Sequence, residues 1–172
     1  RLGVTWARAE IGRVHVAKLP AKLKTDDWKK SSIAAEVRDV GGEMLGLINF
    51  VDPDHQWARD KQETYLPQVE AFSERIVTLY KDDVTHWEIM NEPDYFWPEG
   101  SPAQVANIVA AAVKGIRRVD PDAFIFSPSP MRPAYMEALL QQGIGPMVDG
   151  FAIHLYASGE ELRKEFEVYK NM

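Results

Sequence analysis

Short apolar runs alternate with stretches of helical periodicity along the chain. Leu2 to Ile11 (LGVTWARAEI) predicts a strand, and so does Met44 to Val51 (MLGLINFV), which is apolar on both faces as buried parallel strands are. Between them, Thr25 to Val40 predicts a helix, with Thr25 as N-cap and Gly41-Gly42 as its stop. Within Pro67 to Tyr80, the residues Val69, Phe72, Ile76, Leu79 and Tyr80 recur at helical spacing, and a strand from Val84 to Met90 follows. Ser101-Pro102 is a strong helix start, and the apolar stripe that begins at Val105 runs to Val119 before Asp120-Pro121. Ala123 to Phe126 predicts a short strand, and Pro133 to Gln142 a helix closed by Gly143. Val148 to Tyr156 (VDGFAIHLY) predicts a fifth strand, and Glu160 to Tyr169 a final helix.

Five βα units in strict alternation predict an α/β fold with a parallel sheet and crossover helices. Two architectures fit, an open doubly wound sheet or part of a TIM (β/α)8 barrel. No G-x-G-x-x-G or P-loop pattern follows any predicted strand, which removes the usual reason to favour the open sheet. Polar residues gather instead at the C-terminal ends of the predicted strands: Arg8 and Glu10, Asp52 and His55, Asn91 and Glu92, Ser127 and Ser129, His154 and Tyr156. That end carries the chemistry in barrel enzymes. A partial (β/α)8 barrel of about five units is expected.

Composition narrows the partners. The 172 residues are 45% hydrophobic and 27% charged, a soluble globular balance. A net charge of −6 without a long basic run argues against nucleic acid or an anionic membrane as partner. No apolar run of about 18 residues is present to span a bilayer. With no cysteine there is no disulfide or thiolate metal site, and the compartment stays open. The four histidines lack H-x-x-x-H or similar ligand spacing, so no metal and no cofactor are expected. The opening Arg1-Leu2-Gly3 looks like a cut inside a longer protein.

The most informative stretch is HWEIMNEPDYFWPEG, from His86 to Gly100. A buried strand ends on an amide, Asn91, beside a carboxyl, Glu92, and the rings of Tyr95, Phe96 and Trp97 follow. Cleavage of a glycosidic bond needs a carboxylic acid to protonate the leaving oxygen and a partner for the sugar 2-hydroxyl. Aromatic rings offer flat apolar faces to sugar rings. The bland alternatives are concrete too. Glu92 could cap the next helix, Arg8 could form a barrel salt bridge to Glu88 or Glu10, and His154 could be a satisfied core histidine. Glu88 lies too deep in the strand to reach a leaving group. Asp52, Asp54, His55 and Trp57 suit an ordinary turn as well as a sugar contact.

WEIMNEPD (Trp87 to Asp94) resembles the fourth-strand motif of glycoside hydrolase clan A, which includes endoglucanases, mannanases and β-xylosidases. LGVTWARAE (Leu2 to Glu10) resembles the clan's second strand, and VDGFAIHLY its sixth. The resemblance covers essentially the whole chain and implies one partial barrel domain over residues 1–172, containing strands two to six. It implies that Glu92 is the general acid/base, Asn91 the 2-hydroxyl partner, and Arg8, His154 and Tyr156 residues lining the sugar site, with Trp97 as a further substrate contact. The implied reaction is retaining hydrolysis of a carbohydrate by double displacement. The clan's nucleophilic glutamate belongs to a seventh strand, expected beyond Met172. Met90 stands where clan members often carry Trp or Phe, and the family within the clan stays open.

These readings carry consequences for structure. Open barrel edges can pair with another copy, apolar inner residues such as Val4, Leu47 and Ala152 should lie partly open, and this segment alone should be inactive. With the nucleophile absent, Glu92 should keep only an upward push from desolvation, and Arg8 should lack its usual partner. A non-catalytic sugar-binding barrel, or a structural half-barrel assembling with another chain, is the alternative.

Overall fold

In the computed structural model, which describes residues 5–15, 18–25, 28–51, 62–97 and 101–172, four parallel strands form one sheet in the order β1-β2-β3-β4. They are β1 (Trp6–His15), β2 (Glu43–Val51), β3 (His86–Ile89) and β4 (Phe124–Phe126). Helices α1 (Leu19–Lys22) and α2 (Ile33–Asp39) lie between β1 and β2, and α3 (Gln62–Tyr80) links β2 to β3. A single turn, α4 (Pro93–Phe96), and the long α5 (Pro102–Val119) join β3 to β4, followed by α6 (Pro133–Gln141) and α7 (Gly159–Lys170). The expected parallel order holds, and Asp52, Asp54, His55, Trp57 and Val4 lie outside the described residues.

Alternation along the strands sorts side chains onto two faces. The outer face (Ile48, Phe50, Trp87, Ile89, Ile125) joins Val69, Phe72 and Ile76 of α3 and Val105, Ile108, Ala112 and Ile116 of α5 in one fully buried cluster. Phe50 and Phe72 meet edge to face with ring centroids 5.8 Å apart. Helix α5 starts on a capping box: Ser101 Oγ accepts from the Gln104 N–H, and Gln104 Oε1 accepts from the Ser101 N–H. Gly115 lets α5 press against the backbone of α3, because a Cβ there would meet Glu70 O at 2.2 Å.

Three expectations need correction. First, β1 does not end near Ile11. A bulge between Glu10 and Gly12 lets pairing continue to His15 opposite Val51, so Arg8 and Glu10 sit in the first half of the strand rather than at its end. The missing side chain of Gly12 makes room for Ile76, which a Cβ would meet at 3.1 Å.

Second, the helix expected over Thr25 to Val40 is only α2. Thr25 closes α1 instead, both its N–H and its hydroxyl donating to Lys22 O, and α2 begins after Ser32.

Third, the fifth strand is reduced to a bridge between Phe126 and Gly150. The Ala152 N–H donates to Ser127 Oγ at 3.1 Å rather than to a carbonyl. Pro128 has no N–H to extend the ladder.

The inner face is partly open. A cleft of about 390 Å³ is lined by Trp6, Leu45, His86, Phe124 and Phe126 and reaches Arg8. Ala152 is half-buried, as expected of an inner residue, but Leu47 is buried. In register it is flanked by Glu10 and Glu88, longer side chains on the same face.

Replacing Gly115 with Ala forces α3 and α5 apart, because the clash is with backbone rather than a movable side chain. Stability should fall by about 2–3 kcal/mol or more, measured by chemical denaturation. A loss below about 0.5 kcal/mol would mean the two helices are not locked at this crossing.

Candidate active site

Beyond Ile89 the chain leaves the sheet abruptly. Met90 (φ 66°) and Glu92 (φ 44°) both take left-handed conformations, rare for side chains of this kind. Hydrogen bonds hold the kink on two sides. The Met90 N–H donates to Ile48 O at 2.9 Å, the Ser129 N–H to Met90 O at 3.3 Å, and the Glu92 N–H to Ser129 O at 3.1 Å. The Glu92 carbonyl then accepts from the N–H groups of Tyr95 and Phe96, starting α4. Its carboxyl group makes no capping bond and stays available to the inner face.

The Glu92 carboxyl is mostly buried. Its Oε1 lies 2.7 Å from His154 Nδ1 and also accepts from the Tyr156 hydroxyl. The rings of His154 and Tyr156 stand perpendicular, 6.0 Å apart, with Tyr156 exposed. Burial is the largest influence on the Glu92 carboxyl and pushes its pKa up, but the hydrogen bonds from Tyr156 and His154, and then the charges of His154 and Arg8, outweigh it. The pKa lies below the ordinary carboxylate value. No other carboxylate is among the causes, as expected, but desolvation does not act alone as the sequence reading had it: hydrogen bonds and positive charges oppose it. The same contact, with the Glu92 hydrogen bond as main cause, raises the Tyr156 phenol.

Arg8 fills the other side. Its Nε donates to Glu88 Oε2 at 2.6 Å, and its Nη2 to Glu88 Oε1 at 2.7 Å and Asn91 Oδ1 at 2.8 Å. The hydrogen bond to Glu88 is the main cause of its raised pKa. Arg8 thus forms the barrel salt bridge to Glu88 that the sequence offered as one reading, a pairing compatible with a place in the site. Glu88 is 1% exposed and also accepts from Ser129 Oγ at 2.6 Å. The Asn91 N–H donates to Asn49 Oδ1 at 3.2 Å, and Asn49 Nδ2 donates to Glu10 Oε2 at 2.7 Å.

Arg8, Asn91, Glu92, His154 and Tyr156 thus meet on one rim of the sheet. Trp97 does not join them. It is buried in the core cluster and offers no open face. At about 100° per residue, a single helical turn cannot show three successive rings to one side. Tyr95 and Phe96 face outward, their rings 5.1 Å apart, while Asp94 and Trp97, three apart, turn inward.

Asn49 and Asp94 were given no role from the sequence, and Ser129 was noted only as a polar residue at a strand end. Asn49 and Ser129 are polar residues in apolar or proline-rich surroundings, a signal that each has a buried partner. Asp94 is buried and accepts from the N–H groups of Met131 and Arg132 at 2.9 and 3.1 Å and from Arg132 Nε at 3.0 Å, tying the loop after β4 to α4. Burial, then the Asp94 charge, pushes the nearby Tyr135 phenol up to about 12. Among the described residues, no group of three or more His, Asp or Glu side chains is placed to hold a metal ion.

The sequence model of the cellulase family, glycosyl hydrolase family 5, matches residues 17–168. The chain belongs to that family. Among solved structures it is similar to a glucosidase from Croceicoccus marinus (TM-score 0.67, 23% identity), covering 87% of this chain and 37% of that one. It is similar as well to a family 39 glycoside hydrolase from the gut symbiont Bacteroides cellulosilyticus (TM-score 0.65, 18% identity, 88% and 33% covered). A GH10 xylanase from Thermobacillus composti matches at a TM-score of 0.59 and 16% identity, with 98% of this chain and 64% of that one covered. No curated protein matches. The chain spans about a third of the length of the first two structures, and its fold is the corresponding part of a TIM barrel.

Tyr156→Phe removes the strongest hydrogen bond holding the ionised form of Glu92, so its pKa should rise. Because the folded pKa lies below the ordinary value, the stability that Glu92 contributes is present above the unfolded carboxylate pKa (~4.3). It is lost as pH falls through the lower folded value. Carbon-13 NMR titration of the Glu92 carboxyl in both proteins should show the midpoint moving up in the variant. An unchanged or lower midpoint would contradict the hydrogen-bond account.

Proposed function

We propose that this chain supplies the acid/base half of a retaining glycoside hydrolase, with residues 1–172 belonging to one catalytic barrel domain. The observation that carries the reading is the Glu92 carboxyl. It is fixed by His154 and Tyr156 on the same rim as the Arg8–Asn91 pair. Glu92 protonates the leaving oxygen as a nucleophilic carboxylate attacks the anomeric carbon, and the aglycone departs with the proton. Glu92, now ionised, takes a proton from water as that water displaces the enzyme carboxylate and restores the original anomeric configuration. The Asn91 amide donates to the 2-hydroxyl, and Tyr95 and Phe96 offer apolar faces to neighbouring sugar rings.

The nucleophile comes from outside this chain. Among the described carboxylates on this face, Glu88 is enclosed by Arg8 and Ser129, and Glu10 is turned to Asn49 and Arg13. The bonds that Arg8 makes use Nε and Nη2, leaving Nη1 for an incoming carboxylate. A carboxylate about 5–5.5 Å from Glu92 would raise its pKa into the range a general acid needs. The segment alone is therefore inactive, and the open inner face and sheet edges favour self-association. A non-catalytic carbohydrate-binding barrel is the second reading, favoured by the lowered Glu92 pKa seen without that partner.

In the full-length protein, Glu92→Ala should reduce glycosylation from poor leaving groups by about 10²–10⁴-fold. Activated aryl glycosides should still form the covalent intermediate, which then accumulates because no base activates water. Azide needs no such base, so adding it should restore turnover and give a glycosyl azide of retained configuration. Equal loss on both substrate classes without azide rescue would exclude Glu92 as the acid/base. A wild-type protein that binds oligosaccharides but cleaves no glycoside would support the binding barrel.

A further inference from the structure

We infer that Glu88, which touches no substrate, is a positioning residue that sets discrimination at the sugar 2-hydroxyl by fixing the amide of Asn91 through Arg8. The inference rests on the proposed role of Asn91. A side-chain amide can turn over, exchanging its acceptor and donor ends, and the two orientations have opposite chemistry. With Oδ1 outward it would accept from a hydroxyl; with Nδ2 outward it donates. Arg8 decides between them. A guanidinium has no acceptor, so the end of Asn91 that faces Arg8 Nη2 at 2.8 Å must be the oxygen. Nδ2 is left as the end that can serve a ligand.

Arg8 can decide only if it is itself held still, and Glu88 does that. Both carboxylate oxygens are used, Oε2 by Arg8 Nε and Oε1 by Arg8 Nη2 and Ser129 Oγ. This two-pronged pairing fixes the plane of the guanidinium as well as its position. Nη2 is thereby shared between Glu88 and Asn91. The Asn91 backbone is fixed separately, its N–H donating to Asn49 and its β-bridge running to Ser129. Loss of the Glu88 charge would leave the Asn91 main chain in place and release its amide.

Glu88→Gln tests this with almost no change in shape. A glutamine keeps one acceptor but places an NH2 group where an oxygen now accepts from Arg8, so the guanidinium must shift. In the full-length protein, kcat/KM is measured on an aryl glycoside and on its 2-deoxy counterpart. Wild type should prefer the 2-hydroxy substrate, and Asn91→Ala should remove most of that preference. Glu88→Gln should lower the preference about tenfold or more, in line with the order of 10² that an ångström of misplacement can cost; any effect of the shifted Arg8 on the incoming carboxylate acts on both substrates and leaves their ratio alone. General loss of folded protein would reduce both rates equally and leave their ratio unchanged.

If Glu88→Gln does not fold, Arg8→Lys is the second variant. A lysine cannot span Glu88 and Asn91 in the same plane, so the preference should fall in the same way. A folded Glu88→Gln or Arg8→Lys enzyme that keeps the wild-type ratio, while Asn91→Ala loses it, overturns the inference and leaves the proposed function standing. A wild-type ratio that Asn91→Ala does not alter overturns the inference together with the proposed role of Asn91 at the 2-hydroxyl.

Discussion

The ion pair between Arg8 and Glu88 connects what would otherwise be separate parts of this sheet. Arg8 enters from the first half of β1 and Glu88 stands in β3, two strands away, with β2 between them. A carboxylate that is 1% exposed is unfavourable to bury unless charge and hydrogen bonds compensate. Here they come from three directions: two guanidinium N–H groups and the Ser129 hydroxyl from the exit of β4. Removing one member of such a buried pair typically costs about 3–5 kcal/mol, because the other charge is left uncompensated. The pair therefore braces β1, β3 and the exit of β4 against one another, and the Asn91 side chain takes its place from it.

The second constraint is the shape of the chain just after β3. Two left-handed residues flank Asn91, each costing roughly 1–2 kcal/mol in backbone strain. A regular strand would place Asn91 and Glu92 on opposite faces of the sheet. The kink at Met90 and Glu92 instead brings both groups to one rim, and hydrogen bonds to Ile48 and Ser129 hold it there. Ser129 thus has two roles, its backbone supporting the kink and its hydroxyl satisfying Glu88. The surrounding prolines, Pro128 and Pro130, limit the other conformations that segment can take.

Much of this was legible in the sequence. The buried strands β2 and β3 and the helices α5 and α6 carry strong periodic patterns with clear stops, and they form close to where those patterns lie. The NEP triplet and the alternation of His154 with Tyr156 pointed to residues that do meet. Other features depend on partners distant in the chain. The continuation of β1 past Gly12 relies on a close approach by Ile76, which no local pattern signals. The burial of Trp97 follows from the pitch of a four-residue turn, although composition marks it as one of three equivalent rings. The shortened strand at Gly150 reflects a serine hydroxyl taking the place of a carbonyl, a substitution visible only once Ser127 and Ala152 are side by side. Desolvation of Glu92 could be anticipated, whereas the hydrogen bonds that outweigh it required the geometry.

The account stands or falls on whether Glu92 handles the proton or forms the covalent bond. The most direct measurement is to treat the full-length protein with an activated 2-deoxy-2-fluoro glycoside, digest it, and locate the sugar by peptide mass spectrometry. The account predicts a glycosyl ester on a carboxylate outside residues 1–172, with Glu92 and Glu88 unmodified. A sugar attached to Glu92 would make it the nucleophile and contradict the assignment of the whole rim.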